Sequence, residues 1–97
     1  MGKRKITILE TVVLAVAEVS WFIESKGLSS TAKKFVDEVF TIFESLADDK
    51  IVHHPCRYKK WKEAGYRCVR FKKYTIAYLE SEKEIIICEF VASKLLQ

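Results

Sequence analysis

The side chains best suited to chemistry are cations crowded into residues 57–73. Eight cations and one acid, Glu63, give this stretch a net charge of +7, so the rest of the chain, which totals +4, carries −3. Within it, Tyr58 and Trp61 alternate with three lysines. The candidates for binding a target or an anion are Arg57, Lys59, Lys60, Trp61, Lys62, Arg67, Arg70, Lys72 and Lys73.

Aromatic rings among lysines and arginines suit single-stranded nucleic acid, because bases stack on the rings while the cations attract phosphates. The same arrangement suits a groove on another protein equally well. Two plainer interpretations stay open. One is that the cations only form a solvated face, and the other is that Trp61 only covers the edge of the hydrophobic core.

The remaining reactive residue types do not form a recognisable site. His53, His54 and Cys56 offer metal-binding atoms, but no second pair stands at ligand spacing, so no metal is predicted. No glycine-rich phosphate loop or nucleophile elbow is present, so no cofactor is predicted. Cys68 and Cys88 fall in strand patterns and are interpreted as core residues. A Cys–His nucleophile pair stays an open alternative.

Cysteine usage and the N-terminus bear on the compartment. An odd number of cysteines without a CxxC pair predicts free thiols in a reducing compartment. Lys3-Arg4-Lys5 and the apolar residues after it imitate a signal peptide, but Thr7, Glu10 and Thr11 interrupt the apolar stretch. No run approaches transmembrane length. The sequence therefore predicts a cytoplasmic protein that does not enter a membrane.

Residues 66–91 predict the sheet around which the chain is organised. Strands are expected at 66–71, 74–80 and 84–91, and their short connections require antiparallel pairing. Alternation in the last strand places Ile85, Ile87 and Val91 on one face, opposite Ile86, Cys88 and Phe90. Residues 5–9 predict a further strand, at an edge or in the centre.

Helical periodicity predicts two helices, at 12–26 and 31–48, joined as an αα-hairpin. Thr11 and either Ser29 or Ser30 are the expected N-caps, and Gly27 is the expected stop of the first helix. Val13, Ala17 and Trp21 form a second apolar stripe, which predicts a sandwiched helix or a partner chain. Residues 48–65 show little regular pattern.

These elements predict a single α+β domain over residues 1–97, with an N-terminal strand, an αα-hairpin and a three-stranded antiparallel meander, and both helices on one face of the sheet. This order resembles the RelE/ParE toxin family of bacterial type II toxin–antitoxin systems over residues 5–91. The residues that carry the resemblance are Ala32, Phe35, Leu46, Gly65-Tyr66-Arg67, Tyr74-Thr75-Ile76-Ala77-Tyr78 and Glu84-Ile85-Ile86-Ile87.

The departures from the family pattern favour its ParE branch. The resemblance to RelE-type members implies a ribosome-dependent mRNA endonuclease with basic residues on the sheet and an Arg and a Tyr near its end. Arg67 matches one basic position, but Thr75 stands where an arginine is wanted, and Lys94 is the one cation after Val91. No general acid or base is recognisable, which favours an inhibitor that binds its target over an enzyme. Resemblance to ParE members implies inhibition of DNA gyrase.

The resemblance also implies partners. A cognate antitoxin is expected to wrap the toxin with an acidic, amphipathic tail whose acids dock near residues 57–73. The host target is gyrase, or the ribosome and mRNA in the RelE-like alternative. A third alternative is an inactive binding protein with a toxin fold. A homodimer and a toxin–antitoxin hetero-oligomer both stay open.

Overall fold

The computed structural model describes residues 4–48 and 53–96, which form a four-stranded sheet with helices against it. This arrangement confirms the predicted α+β class. In chain order, the elements are β1 (Lys5–Ile8), α1 (Glu10–Ser25), α2 (Ser29–Ser45), α3 (Lys59–Glu63), β2 (Arg67–Phe71), β3 (Tyr74–Glu80), β4 (Glu84–Ala92) and a closing 3₁₀ turn (Ser93–Leu95).

The strand order is β1-β4-β3-β2. Strands β2, β3 and β4 pair antiparallel as an up-and-down meander, as their short connections require. Strand β1 pairs parallel with β4, with Ile6 beside Ile85 and Ile8 beside Ile87. Strand β1 therefore lies at an edge of the sheet, and β4 is an inner strand between β1 and β3.

Both helices pack on one face of the sheet, as predicted. Val12 and Val16 of α1 and Val39 and Phe43 of α2 are buried against it. The aromatic ring of Phe35 lies 5.8 to 6.3 Å from three rings of the meander, those of Phe71, Tyr74 and Phe90. We call this face the helix face and its opposite the distal face.

A β-bulge in β4 corrects the predicted alternation of this strand. Ala77 pairs with Glu89 and Tyr78 with Ile87, which leaves Cys88 as the extra residue. Because one additional residue shifts every later side chain to the opposite face, Phe90 joins Ile85 and Ile87 in the main core. Val91 lies on the distal face instead. The predicted faces of Phe90 and Val91 were therefore wrong.

The helix ends also differ from the prediction. Leu9 and Leu28 are the N-caps, neither helix has a side-chain cap, and α2 ends at Ser45. The helices begin earlier than expected because the Leu9 carbonyl accepts from the Val12 and Val13 amides and the Leu28 carbonyl from that of Ala32. The predicted stop at Gly27 is confirmed by its φ of 80°, a left-handed conformation that glycine adopts without steric cost.

The distal face is covered by the segment that shows little pattern in the sequence. Residues 53–66 include the short helix α3, and Trp61 packs with Cys56 and Ala77 in a second, smaller core. Other members of this core are Tyr58, Tyr66, Cys68, Val91 and Leu96. Strand β4 is thus covered on both faces of the sheet, which explains why its sequence is apolar on both faces.

A disulfide joins Cys56 to Cys68, so the prediction of free thiols was wrong for this pair. The pairing arises because the chain before α3 runs along β2: Pro55 forms a bridge with Arg67, the Cys68 amide donates to the His54 carbonyl, and the Cys56 amide donates to that of Tyr66. This alignment brings Cys56 beside Cys68. Cys88 is a free, buried thiol.

The turn between β2 and β3 yields a stability prediction. Lys72 has a φ of 54°, in the region that disfavours residues with a Cβ atom. Lys72→Gly relieves this strain, whereas Lys73→Gly only adds flexibility to the unfolded chain. We expect Lys72→Gly to be more stable than Lys73→Gly by about 1 kcal/mol in urea denaturation. The opposite order would show that the Lys72–Glu38 ion pair, at 3.2 Å, matters more than backbone strain.

Candidate functional site

A basic cleft lies across β2, the start of β3 and the 3₁₀ turn that follows β4. It consists of two adjoining cavities, each about 460 Å³, that share Arg70 and Ser93 as walls. Its cations are Arg57, Arg70, Lys73 and Lys94. None of the described residues that line it is acidic, so its positive charge has no neutralising side chain in the wall.

Strand pairing positions the centre of this cleft. Arg70 lies opposite Thr75 and shares the distal face with Cys68. Its Nε donates weakly, at 3.4 Å, to the Lys72 carbonyl, and its side chain is otherwise exposed. Beside it the hydroxyl groups of Thr75 and Ser93 are hydrogen-bonded at 2.7 Å. A guanidinium on β2, with one hydroxyl on β3 and one in the 3₁₀ turn beside it, can bind an oxyanion or a carboxylate.

The cross-linked segment provides the opposite wall. His54, Arg57 and Tyr58 line the cleft together with Cys68, which the disulfide attaches to this segment. Downstream, the lysines of α3, Lys59, Lys60 and Lys62, are exposed.

Trp61 is not available to stack on a ligand. Its side chain is only 8% exposed, and its ring packs edge-on against Tyr58 at 5.4 Å. The sequence left two roles open for Trp61, stacking on a ligand and covering the edge of the core. The structure favours the second role.

Two of the predicted site residues point away from the cleft. Arg67 lies on the helix face, opposite Tyr78, where it donates to the His53 carbonyl at 2.8 Å and pairs with Glu80 at 3.6 Å. Lys72 pairs with Glu38 of α2. The structure therefore gathers Arg57, Arg70 and Lys73 in one cleft and places Arg67 and Lys72 elsewhere.

His53 belongs to the structural contacts around Arg67. Its Nδ1 lies 2.9 Å from the hydroxyl of Tyr78. Burial lowers the pKa of His53 and raises the pKa of Tyr78 to about 12, so both groups are neutral near pH 7. This neutral, hydrogen-bonded pair lies at the edge of the core, and neither residue lines the basic cleft.

The Cys–His nucleophile pair finds no support in the cysteines. Cys56 and Cys68 are bonded to each other. Burial raises the pKa of Cys88, so its thiol is protonated near pH 7 and unreactive. In residues 4–48 and 53–96, no cluster of three metal-binding side chains occurs, and no helix is long and apolar enough to cross a membrane.

The sequence did not indicate four cleft residues as members of one site: His54, Thr75, Ser93 and Lys94. They come from three separate stretches of the chain. The β2–β3 pairing brings Thr75 to Arg70, the β3–β4 register brings Ser93 and Lys94, and the pairing and disulfide of residues 54–56 with β2 bring His54. Lys94 stood out in the sequence as an isolated cation after the last strand.

An N-terminal edge strand, an αα-hairpin on one face and an antiparallel meander define the RelE/ParE class of toxin folds. Within that class, the family model of the ParE toxin of type II toxin–antitoxin systems, parDE, matches residues 11–92. The chain therefore belongs to the ParE toxin family, and it is the toxin of a type II system, which implies a cognate antitoxin. No curated protein and no solved structure matches it significantly.

Proposed function

We propose that this toxin arrests growth in the bacterial cytoplasm by binding DNA gyrase through the basic cleft, and that its antitoxin relieves the arrest. The observation that carries the proposal is the cleft itself, in which four cations meet no acidic side chain among the described lining residues. Resemblance to ParE members supplies gyrase as the target.

The cleft suits a partner with an acidic surface. Arg57 directly follows residues 54–56, whose backbone pairs with β2, and Arg70 stands on a strand, so the backbone that carries each cation is already ordered before a partner binds. Unpaired cations also attract an acidic partner over a distance, and salt screens this attraction. Binding that weakens as salt rises is therefore part of the proposal.

A supercoiling assay tests the target. Purified toxin is expected to inhibit supercoiling of relaxed plasmid by gyrase, with less inhibition at higher salt, and the neighbour-encoded antitoxin should restore activity. In cells, expression should stop growth and induce the DNA-damage response. Full supercoiling with excess toxin, together with normal growth, would reject gyrase as the target. Harmless expression in every host tested would favour an inactive binding protein.

One observation favours RNA cleavage as a second candidate function. His54 and Tyr58 line the same cleft as Arg57 and Arg70. Histidine is the commonest general base, and arginines stabilise charge on a phosphate in the transition state. His54 would take the proton of a ribose 2′-hydroxyl, whose oxygen attacks the phosphorus to form a 2′,3′-cyclic phosphate. The bond to the 5′-oxygen breaks, and that oxygen takes a proton from water.

Primer extension separates the two candidates. After induction of the toxin, RNA cleavage predicts new message ends that His54→Ala abolishes, whereas gyrase inhibition predicts intact messages with both the wild type and His54→Ala. Lys33→Glu, on the exposed side of α2, is a control that leaves the cleft untouched. Uncut messages in growth-arrested cells would reject the RNase candidate.

The helix side of the molecule offers a groove for the antitoxin. Val19, Phe22 and Tyr74 line a cavity of about 400 Å³, next to the lysines Lys34, Lys72 and Lys73. Glu38 also lines this cavity and pairs with Lys72 at 3.2 Å, so Lys34 and Lys73 give the rim its net positive charge. Apolar walls with such a rim suit the acidic, amphipathic tail that the family resemblance implies. Because Lys73 borders both this groove and the basic cleft, a tail bound here would reach the cleft.

A further inference from the structure

Helix α1 presents large apolar side chains to solvent on the side that faces away from the sheet. The exposed fractions of Val13, Leu14 and Trp21 are 42%, 51% and 61%. Ala17 lies between them at helical spacing, so the four residues form one continuous patch, which we call the α1 patch. No residue of the α1 patch lines the basic cleft or the antitoxin groove.

The charges on helix α1 itself all have one sign. Helix α1 contains three charged residues, Glu10, Glu18 and Glu24, and no lysine or arginine. Glu10 and Glu18 stand one turn on either side of Leu14, and Glu24 stands three residues after Trp21. Lys26, the nearest cation along the chain, follows the helix and lies over the ring of Phe22 at 4.8 Å.

We infer that the α1 patch docks an amphipathic helix of a partner protein, with an apolar stripe flanked by lysines or arginines. An apolar centre within a charged rim is the usual anatomy of an interface, and tryptophan, here Trp21 at one end of the patch, is among the residue types most enriched in binding hot spots. Complementary charge at the rim gives such a contact its specificity. The inference does not depend on the target of the toxin.

The acidic rim argues against two other occupants. In a symmetric pairing of two copies of α1, an antiparallel arrangement places Glu10 near Glu24 of the second copy, and a parallel arrangement places each glutamate near its equivalent. Like charges so placed disfavour both. The acidic antitoxin tail is repelled for the same reason and fits the lysine-rimmed groove instead.

A pair of model helices tests the inference directly. The probes are peptides of about 18 residues, roughly the length of α1, with one leucine stripe flanked either by lysines or by glutamates. Trp21 reports binding through a blue shift of its fluorescence, and a Trp21→Phe variant gives the background from Trp61. We expect the lysine peptide to bind at least about tenfold more tightly than the glutamate peptide, with a difference that shrinks as salt rises.

Charge-reversed variants complete the test. A triple variant, Glu10→Lys, Glu18→Lys and Glu24→Lys, should prefer the glutamate peptide. A matched triple variant at exposed acids outside α1, Glu44→Lys, Glu63→Lys and Glu82→Lys, changes net charge equally and should keep the original preference. Equal binding of both peptides, identical behaviour of the two triple variants, or a dimer that Trp21→Lys dissociates in sedimentation would overturn the inference.

Discussion

Replacing both Cys56 and Cys68 with alanine is expected to lower the free energy of unfolding by about 3 kcal/mol. The disulfide closes a loop between residues that are 12 apart, and a cross-link over a loop of that length restricts the unfolded chain by about this amount. For a small domain this is a large share of a total stability of about 5–15 kcal/mol. Urea denaturation of wild type and variant measures the difference.

Cys88 supplies the matched control. Cys88→Ala removes a buried thiol without breaking a bond, so its cost is expected to be closer to about 1 kcal/mol. A dithiol reductant should destabilise the wild type as much as the double substitution does, and it should have no effect on the double variant. A wild type whose unfolding curve is indifferent to reductant would show that the disulfide contributes nothing to stability.

The disulfide also bears on the cytoplasmic proposal. A reducing compartment favours the open thiols, and the loop that holds Arg57 and α3 then depends on Trp61 in the second core and on the backbone pairing of residues 54–56 with β2. We propose that the toxin keeps its fold in either state, because the main core between the helices and the sheet does not include the cross-link.

Periodicity in the sequence predicted the elements of the main core well. The two helices and the three strands of the meander each lie within a few residues of their expected bounds, because the buried residues of α2 recur at helical spacing and short polar turns separate the strands. The prediction failed in β4, where the alternation of side chains between the two faces is interrupted. The bulge at Cys88 adds one residue to β4, and since both faces of that strand are apolar, the pattern could not reveal the shift of Phe90 and Val91.

The sequence predicted the positive charge of the candidate site, but it did not predict which residues come together to form the cleft. The excess of cations in residues 57–73 identified Arg57, Arg70 and Lys73. The sequence could not show that residues 54–56 align with β2, so both the disulfide and the position of His54 in the cleft were missed. Ser93 and Lys94 reach the cleft only through the register of β3 with β4.

The double variant Arg57→Glu with Arg70→Glu is expected to abolish growth inhibition and to raise the concentration needed to inhibit gyrase by at least about 100-fold, equivalent to about 2.8 kcal/mol. Removing one partner of a close charge pair at an interface commonly costs about 2–5 kcal/mol, and reversal adds repulsion. Because both side chains are exposed, the free energy of unfolding should change by less than about 0.5 kcal/mol. Growth curves, the supercoiling assay and urea denaturation measure the three effects.

The other cations of the chain provide controls for this result. Lys33→Glu with Lys83→Glu makes the same change in net charge at exposed positions outside the cleft, and it should leave toxicity intact. Arg67→Met should act on stability instead, because it removes the contacts of Arg67 with Glu80 and the His53 carbonyl.

If the Arg57/Arg70 variant stays fully toxic while it is folded, the basic cleft does not contact the target. If it unfolds, Arg70→Gln alone, which removes the charge and keeps a polar side chain on the strand, decides between a structural and a binding role.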